Sequence, residues 1–198
     1  MSTRTVCKYF AKILCIFVIV LEILKKYWGY TSFRPKQEDI ITSALAGEDV
    51  LAILPTGGGK SLCFQLPAMM REGIAIVVSP LISLIKDQVQ NLRARGIKAL
   101  AVHSGMTRRE IDITLDNAVY GDYKFLYLSP ERLRTEIFRK RVQKMQVSFL
   151  VVDEAHCISQ WGYDFRPDYL QIADIRELLP GVPVGARTDT ATPAVAQG

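Results

Sequence analysis

The sequence lacks the cysteine patterns of a disulfide-bonded or zinc-binding domain. Its four cysteines form no C-x-x-C pair and show no zinc-ligand spacing: Cys7, Cys15, Cys63 and Cys157. Isolated cysteines of this kind behave as small apolar residues in a reducing compartment. We therefore expect a cytoplasmic protein (nucleoid-associated if it is bacterial) with no stable membrane partner.

An excess of positive charge is also missing from most of the chain. The formal net charge is +5, but residues 1–26 contain five basic residues and one acidic residue. The other 172 residues carry 20 basic and 19 acidic groups. Charge therefore gives no evidence for a nucleic-acid partner, and the length of 198 residues fits one sizeable core.

The apolar run near the N-terminus is too short to span a bilayer. It covers residues 13–21, whereas a spanning helix needs about 20 residues. The basic residues before it resemble a signal peptide, but no small-x-small cleavage site follows. A start codon placed too far upstream, adding non-native sequence, is the interpretation that we favour. We treat residues 1–21 as an uncertain extension and residues 22–198 as one domain.

Residues 51–62 predict a phosphate-binding loop, because a short apolar strand leads into three glycines and then Lys60 and Ser61. Glycines let backbone N–H groups converge on an anion, and the following helix start adds its own. Lys60 would reach the β/γ-phosphates, and the Ser61 hydroxyl would hold Mg²⁺. Leu54 breaks the strict G-x-x-x-x-G-K-[ST] pattern, and a plain glycine-rich turn is the alternative. The predicted loop residues are Thr56, Gly57, Gly58, Gly59, Lys60 and Ser61.

A turn upstream of this loop carries Tyr30, Arg34 and Gln37. A ring, a guanidinium and an amide of this kind can hold adenine. Composition alone favours the alternative, which is a capped surface helix that ends at Gly47.

The rest of the chain alternates short apolar stretches with amphipathic ones. This alternation predicts an α/β fold, a parallel sheet with helices on both faces. The predicted strands after the loop cover residues 74–78, 99–102, 125–128, 149–152 and 182–186. The predicted helices cover residues 81–95, 108–119, 130–145 and 169–178.

The strand at 149–152 ends in the acidic pair Asp153 and Glu154. Ligands of open α/β sheets sit at the carboxyl ends of the strands, where the phosphate loop also opens. Asp153 would hold the Mg²⁺ shell, and Glu154 would orient and deprotonate the attacking water. The combination indicates nucleoside triphosphate hydrolysis.

Asp-Glu-Ala-His at 153–156, followed by Cys-Ile-Ser-Gln-Trp-Gly, resembles the RecQ family of DNA helicases in superfamily two. The resemblance covers residues 22–197, the first RecA-like domain of a P-loop NTPase, and its motifs occur in family order. It implies adenine recognition by residues 30–37, a Walker A motif at 55–61 and a Walker B motif with catalytic His156. It also implies strand-contacting motifs that begin at Ser79 and Ser129.

The resemblance gives a role to the aromatic-rich loop at 160–167. Alone, this loop reads equally well as surface packing; in the family it senses single-stranded DNA and signals to the hydrolysis site. Aromatic rings beside arginine form a stacking platform for bases. Tyr163 replaces the usual histidine, which puts the coupling in doubt. The implied DNA-binding residues are Ser79, Gln160, Trp161, Phe165 and Arg166.

The end of the chain departs from the family pattern Ala-Leu-Thr-Ala-Thr-Ala, because Arg187 and Asp189 bring two charges to a predicted core strand. Unpaired buried charge is costly. We therefore expect that the two residues pair with each other, that the chain end is frayed, or that the sequence is damaged. Gly185, in place of an apolar residue, favours damage or lost constraint.

The expected function is the ATP-binding part of an ATP-dependent DNA helicase with 3′–5′ unwinding activity in recombination and repair. Its expected cofactors are ATP and Mg²⁺, and its expected partners are single-stranded and duplex DNA. We expect this chain to lack the family's second RecA-like domain, and therefore to have weak or no activity alone. The alternatives are another P-loop NTPase and a non-catalytic nucleotide- or DNA-binding remnant.

Overall fold

The computed structural model describes residues 3–55, 57–158 and 166–189, with side chains from residue 16 onward. Its strands are β1 (Val50–Ile53), β2 (Ile74–Val78), β3 (Ala99–Val102), β4 (Phe125–Leu128), β5 (Val147–Val152) and β6 (Val184–Thr188). Its α-helices are α1 (Thr3–Trp28), α2 (Gln37–Ala46), α3 (Leu62–Met70), α4 (Ile82–Ala94), α5 (Arg108–Tyr120), α6 (Glu136–Val142) and α7 (Gln171–Leu178). Short 3₁₀ turns lie at Pro130–Arg132, Ala155–Ile158 and Pro167–Leu170.

The strands form one parallel sheet in the order β1-β6-β5-β2-β4-β3. Alternate residues of each central strand face opposite sides, as the two-residue period of a strand requires. Ile76 and Leu150 pack in the cluster under α5, α6 and α7, whereas Val77 and Phe149 pack in the cluster under α3 and α4. The predicted α/β class, with helices on both faces, is confirmed.

Four predicted elements differ from the structure by two residues or more. β5 begins two residues earlier than predicted, and α7 begins two residues later, after a 3₁₀ turn. The helix expected over residues 130–145 is divided into a 3₁₀ turn and the separate helix α6. The last strand begins and ends two residues later than predicted, because Pro183 has no N–H to donate to a neighbouring strand. The Pro183 carbonyl oxygen accepts a hydrogen bond from the Leu150 N–H. The later strand takes Arg187 into the sheet.

Helix α1 continues without a break through residue 21, where we placed the boundary of the extension. Val20 and Leu24 are fully buried and pack against Ile41, Leu62 and Leu66. This half of α1 therefore contributes to the core. The division at residue 21 stays a prediction.

Judged by length and hydropathy, a membrane-crossing helix is absent from the described part of the chain.

Candidate nucleotide-binding site

The sheet order determines which residues meet at the candidate site. β6 lies between β1, which leads into the phosphate loop, and β5, which leads into the acidic pair. All three strands are parallel, so their carboxyl ends open on the same edge of the sheet. The residues at the end of β6 therefore lie between the two predicted motifs.

A cleft of about 550 Å³ opens at this edge. Most of the predicted adenine, phosphate and hydrolysis residues contribute to its wall: Tyr30, Arg34, Gln37, Gly57, Gly59, Lys60, Ser61, Asp153 and Glu154. Gly58 and His156 are described but do not line it. Arg187 and Asp189 line the same cleft, although we predicted no functional role for either. Thr56 lies outside the described residues.

The side chains of Gln37 and Arg34 donate hydrogen bonds to backbone carbonyls of the phosphate loop. The Arg34 guanidinium donates to the Gly57 carbonyl. The Gln37 amide lies 3.4 Å from the Gly58 carbonyl oxygen and 3.3 Å from that of Gly59. A Cβ at residue 59 would lie 2.2 Å from the same amide nitrogen, and the φ of Gly59 is +76°, so the position requires glycine. Gln37 is therefore buried under the loop, whereas Tyr30 is half exposed at the cleft.

Asp153 is almost fully buried at the end of β5. The Ser79 hydroxyl donates to its carboxylate at 3.1 Å, and the Tyr169 hydroxyl donates to its backbone carbonyl at 2.8 Å. Ser79, which we predicted to contact DNA, is itself buried beside Asp153, and its contact with DNA stays a prediction. These contacts fix the direction of the Asp153 carboxylate.

Glu154 has the properties expected of a general base. Its φ of +51° is rare for a residue with a side chain, and such backbone strain is concentrated at functional sites. Burial, and then the charge of Asp153, raise the pKa of Glu154 above its usual value, whereas nearby Lys60 acts in the opposite direction. A raised pKa makes a carboxylate a better proton acceptor.

His156 connects the acidic motif to β6. Its Nδ1 lies 3.0 Å from the Thr188 hydroxyl and 3.4 Å from a carboxylate oxygen of Glu154. Glu154, His156 and Asp189 have ligand atoms within 4.8 Å of one another.

The two unexpected charges both have partners in the cleft. Arg187 binds the Asp153 carboxylate through Nε and Nη2, both at 2.6 Å, and Asp189 lies 3.7 Å from the Lys60 ammonium group. The expectation that Arg187 and Asp189 would simply pair with each other is therefore wrong. β6 remains paired up to Thr188, which lies opposite Ile53 of β1, whereas the chain end after residue 189 lies outside the described residues.

Gly185 is explained by packing. A Cβ at this position would lie 2.4 Å from the Phe64 ring and 2.7 Å from the Phe149 ring. Those two rings pack against each other between α3 and β5. A glycine lets β6 pass beside them, so this departure from the family pattern fits its surroundings.

Ser61 and Asp153 are brought together, as a metal site would require, but Arg187 lies between them. Its Nη1 donates to the Ser61 hydroxyl at 2.5 Å, in addition to its two bonds to Asp153. The two predicted metal ligands are thus already bound by a cation. In this arrangement the residues do not fit Mg²⁺, because the oxygen atoms it would need are taken.

The predicted DNA-binding residues are only partly described. Arg166 is exposed and donates to the carbonyl of Pro80, the residue after Ser79, at 3.3 Å. Gln160, Trp161 and Phe165 lie outside the described residues.

Comparison with known proteins gives consistent results. The family model for DEAD/DEAH box helicases matches residues 34–196. The chain is 50% identical over 172 residues to the probable ATP-dependent DNA helicase RecS of Bacillus subtilis, covering 86% of this chain and 34% of that protein. It is 45% identical over 177 residues to the ATP-dependent DNA helicase RecQ of Haemophilus influenzae, covering 89% and 29%. The chain thus spans about a third of the length of these relatives.

A solved structure has the same fold. The DUF1998 helicase MrfA bound to DNA and AMPPNP superposes with a TM-score of 0.72 at 15% identity, covering 90% of this chain and 27% of that one.

Proposed function

The chain belongs to the DEAD/DEAH box helicase family, and from this premise we propose that it is the ATP-binding domain of a RecQ-type ATP-dependent DNA helicase. One observation carries the proposal. The phosphate loop, the acidic pair and the adenine-binding candidates come from separate parts of the chain and line one cleft.

The cleft residues have distinct roles in this proposal. The loop N–H groups and Lys60 bind the phosphates, while Tyr30 stacks on the base. Glu154 accepts a proton from the attacking water, and His156 links this step to β6 through Thr188. Mg²⁺ would supply charge neutralisation on the phosphates. Ser61 and Asp153 can serve as its ligands only if Arg187 moves away.

DNA binding belongs to the rim of the cleft in this proposal. Arg166 and the neighbouring Trp161 and Phe165 would stack on single-stranded bases. The DNA-bound MrfA structure, which shares the fold, supports a DNA-binding role for this kind of domain. In the whole enzyme, a second RecA-like domain would complete the cleft and couple hydrolysis to 3′–5′ unwinding in recombination and repair.

We expect the cleft to prefer ATP to GTP by about tenfold or more. This preference requires the Gln37 amide to turn from the Gly58 and Gly59 carbonyls to the adenine edge, where guanine would leave its polar groups unsatisfied. The measurement is competition of each nucleotide against a fluorescent ATP analogue. Tyr30→Ala should weaken binding of both nucleotides, whereas Tyr120→Ala, on the exposed face of α5, should change neither. Equal affinities of the wild type for ATP and GTP would contradict adenine recognition.

We expect Trp161→Ala to weaken binding of single-stranded DNA by about 5- to 150-fold, since one stacked base contributes about 1–3 kcal/mol. Fluorescence anisotropy with a labelled oligonucleotide measures this change, and Tyr120→Ala is again the control. An unchanged DNA affinity would leave the aromatic-rich loop as surface packing.

A second candidate is a nucleotide-binding domain without turnover. The contacts of Arg187 with Asp153 and Ser61 favour it, because they engage residues that hydrolysis would require. Phosphate release above that of a Glu154→Gln variant, in the presence of single-stranded DNA, would contradict this second candidate.

A further inference from the structure

Arg187 is a buried cation that β6 brings into the nucleotide cleft. Its side chain is 6% exposed, and that of Asp153 is 2% exposed. The fork of its guanidinium bonds both Asp153 carboxylate oxygens at 2.6 Å, and its remaining nitrogen bonds Ser61 at 2.5 Å. A two-point arginine–carboxylate pair is among the strongest protein hydrogen-bond arrangements.

The Arg187 guanidinium carries its positive charge in this buried position. Burial acts to lower the pKa of Arg187, but the charge of Asp153 and its hydrogen bonds outweigh burial and hold that pKa above its ordinary value. The side chain has five N–H donors, of which the bonds to Asp153 and Ser61 use three. Nη1 and Nη2 each retain one further N–H, which a phosphate oxygen in the cleft can accept.

A divalent cation and this guanidinium exclude each other. Mg²⁺ binds oxygen at about 2.0–2.1 Å and would need the Ser61 hydroxyl and an Asp153 carboxylate oxygen. Both are bound to Arg187, whose positive charge would repel a cation placed a few ångströms away. The cleft therefore already contains a positive charge where the phosphates would otherwise need one from a metal.

Asp189 forms an ion pair with the lysine of the phosphate loop. It lies 3.7 Å from the Lys60 ammonium group, which is 13% exposed. Incoming phosphates and Asp189 compete for Lys60. The two charged departures from the family pattern thus contact different parts of the site. Arg187 contacts the predicted metal ligands, and Asp189 contacts the phosphate-binding lysine.

We propose that Arg187 takes the place of the divalent cation, so that this chain binds a nucleoside triphosphate without a metal ion in the cleft. The inference rests on the proposed nucleotide site, and goes beyond it by assigning the neutralising role to a side chain that the family pattern does not contain.

The test measures the affinity of the whole chain for a fluorescent ATP analogue, once with Mg²⁺ and once with EDTA. We expect the wild-type affinity to differ by less than about threefold between the two conditions. Arg187→Leu, which introduces the residue of the family pattern, should bind at least about tenfold more tightly with Mg²⁺ than with EDTA. Arg139→Leu removes an arginine from a surface ion pair with Asp174 and should behave as the wild type.

A second readout counts the metal directly. In equilibrium dialysis with Mn²⁺ and the nucleotide, the wild type should retain no Mn²⁺ with its bound nucleotide, and Arg187→Leu should retain roughly one. A wild type that retains Mn²⁺ with its nucleotide, or that needs Mg²⁺ to bind it, overturns the inference even if Arg187→Leu fails to fold. Nucleotide that binds to neither protein under any condition contradicts the proposed function instead.

Discussion

Lys60→Ala is expected to lower the affinity for ATP by about 30-fold to more than 1,000-fold. Losing one partner of a desolvated charge pair costs about 2–5 kcal/mol, and each 1.4 kcal/mol is tenfold in affinity. Lys60 has this environment, because its side chain is 13% exposed and lies at the start of the loop–helix junction. The measurement is a titration of the fluorescent ATP analogue into each protein.

Lys98→Ala is the matched control for this prediction. Lys98 also forms a lysine–aspartate pair at 3.7 Å, with Asp122, but its side chain is 62% exposed and does not line the cleft. Its replacement should leave nucleotide affinity unchanged. If Lys60→Ala bound ATP as well as Lys98→Ala, the loop would not be the phosphate site.

Asp153→Ala is expected to lower the free energy of unfolding by about 3–5 kcal/mol, because it leaves Arg187 buried without its partner. An arginine side chain cannot lose its proton to escape this cost. Arg187→Leu should cost less, since Asp153 keeps its bonds from Ser79 and from the Glu154 backbone N–H. Urea unfolding followed by circular dichroism measures each difference.

The double variant Asp153→Ala/Arg187→Leu should recover much of the stability lost in Asp153→Ala. Replacing a buried ion pair by apolar residues is often neutral or stabilising, so the two changes should not add. Asp174→Ala removes the acid from the surface pair with Arg139 and should change stability by less than about 0.5 kcal/mol. Additive losses in the double variant would mean that Arg187 and Asp153 are not coupled.

Much of the fold follows from local sequence. The strands β2, β3 and β4 have the predicted limits, because each is a short apolar run closed by polar or glycine-containing segments. The helix α5 begins where Thr107 and Glu110 form a reciprocal cap, which sequence alone can indicate. The predicted α/β class and the meeting of the phosphate loop with the acidic pair depend only on such elements.

The contacts of Arg187 depend on strand order, which local patterns do not specify. The sequence indicated that a charge in a core strand needs a partner. It did not indicate that β6 lies between β1 and β5, where Asp153 and Ser61 are both within reach. The position of Gln37 is a similar case, because its contacts with the phosphate loop join residues more than twenty positions apart.

The close approach of β6 to the rings of Phe64 and Phe149 limits the order in which substitutions can accumulate here. A larger side chain at Gly185 would collide with the rings of Phe64 and Phe149, so the family-like apolar residue cannot return there first. A smaller residue at Phe64 alone would leave a cavity, at a cost of about 3–5 kcal/mol for loss of the whole ring. Each single step is unfavourable, and a side chain at residue 185 needs room from the rings of both Phe64 and Phe149. Gly185 is thus expected to vary only together with these two aromatic positions.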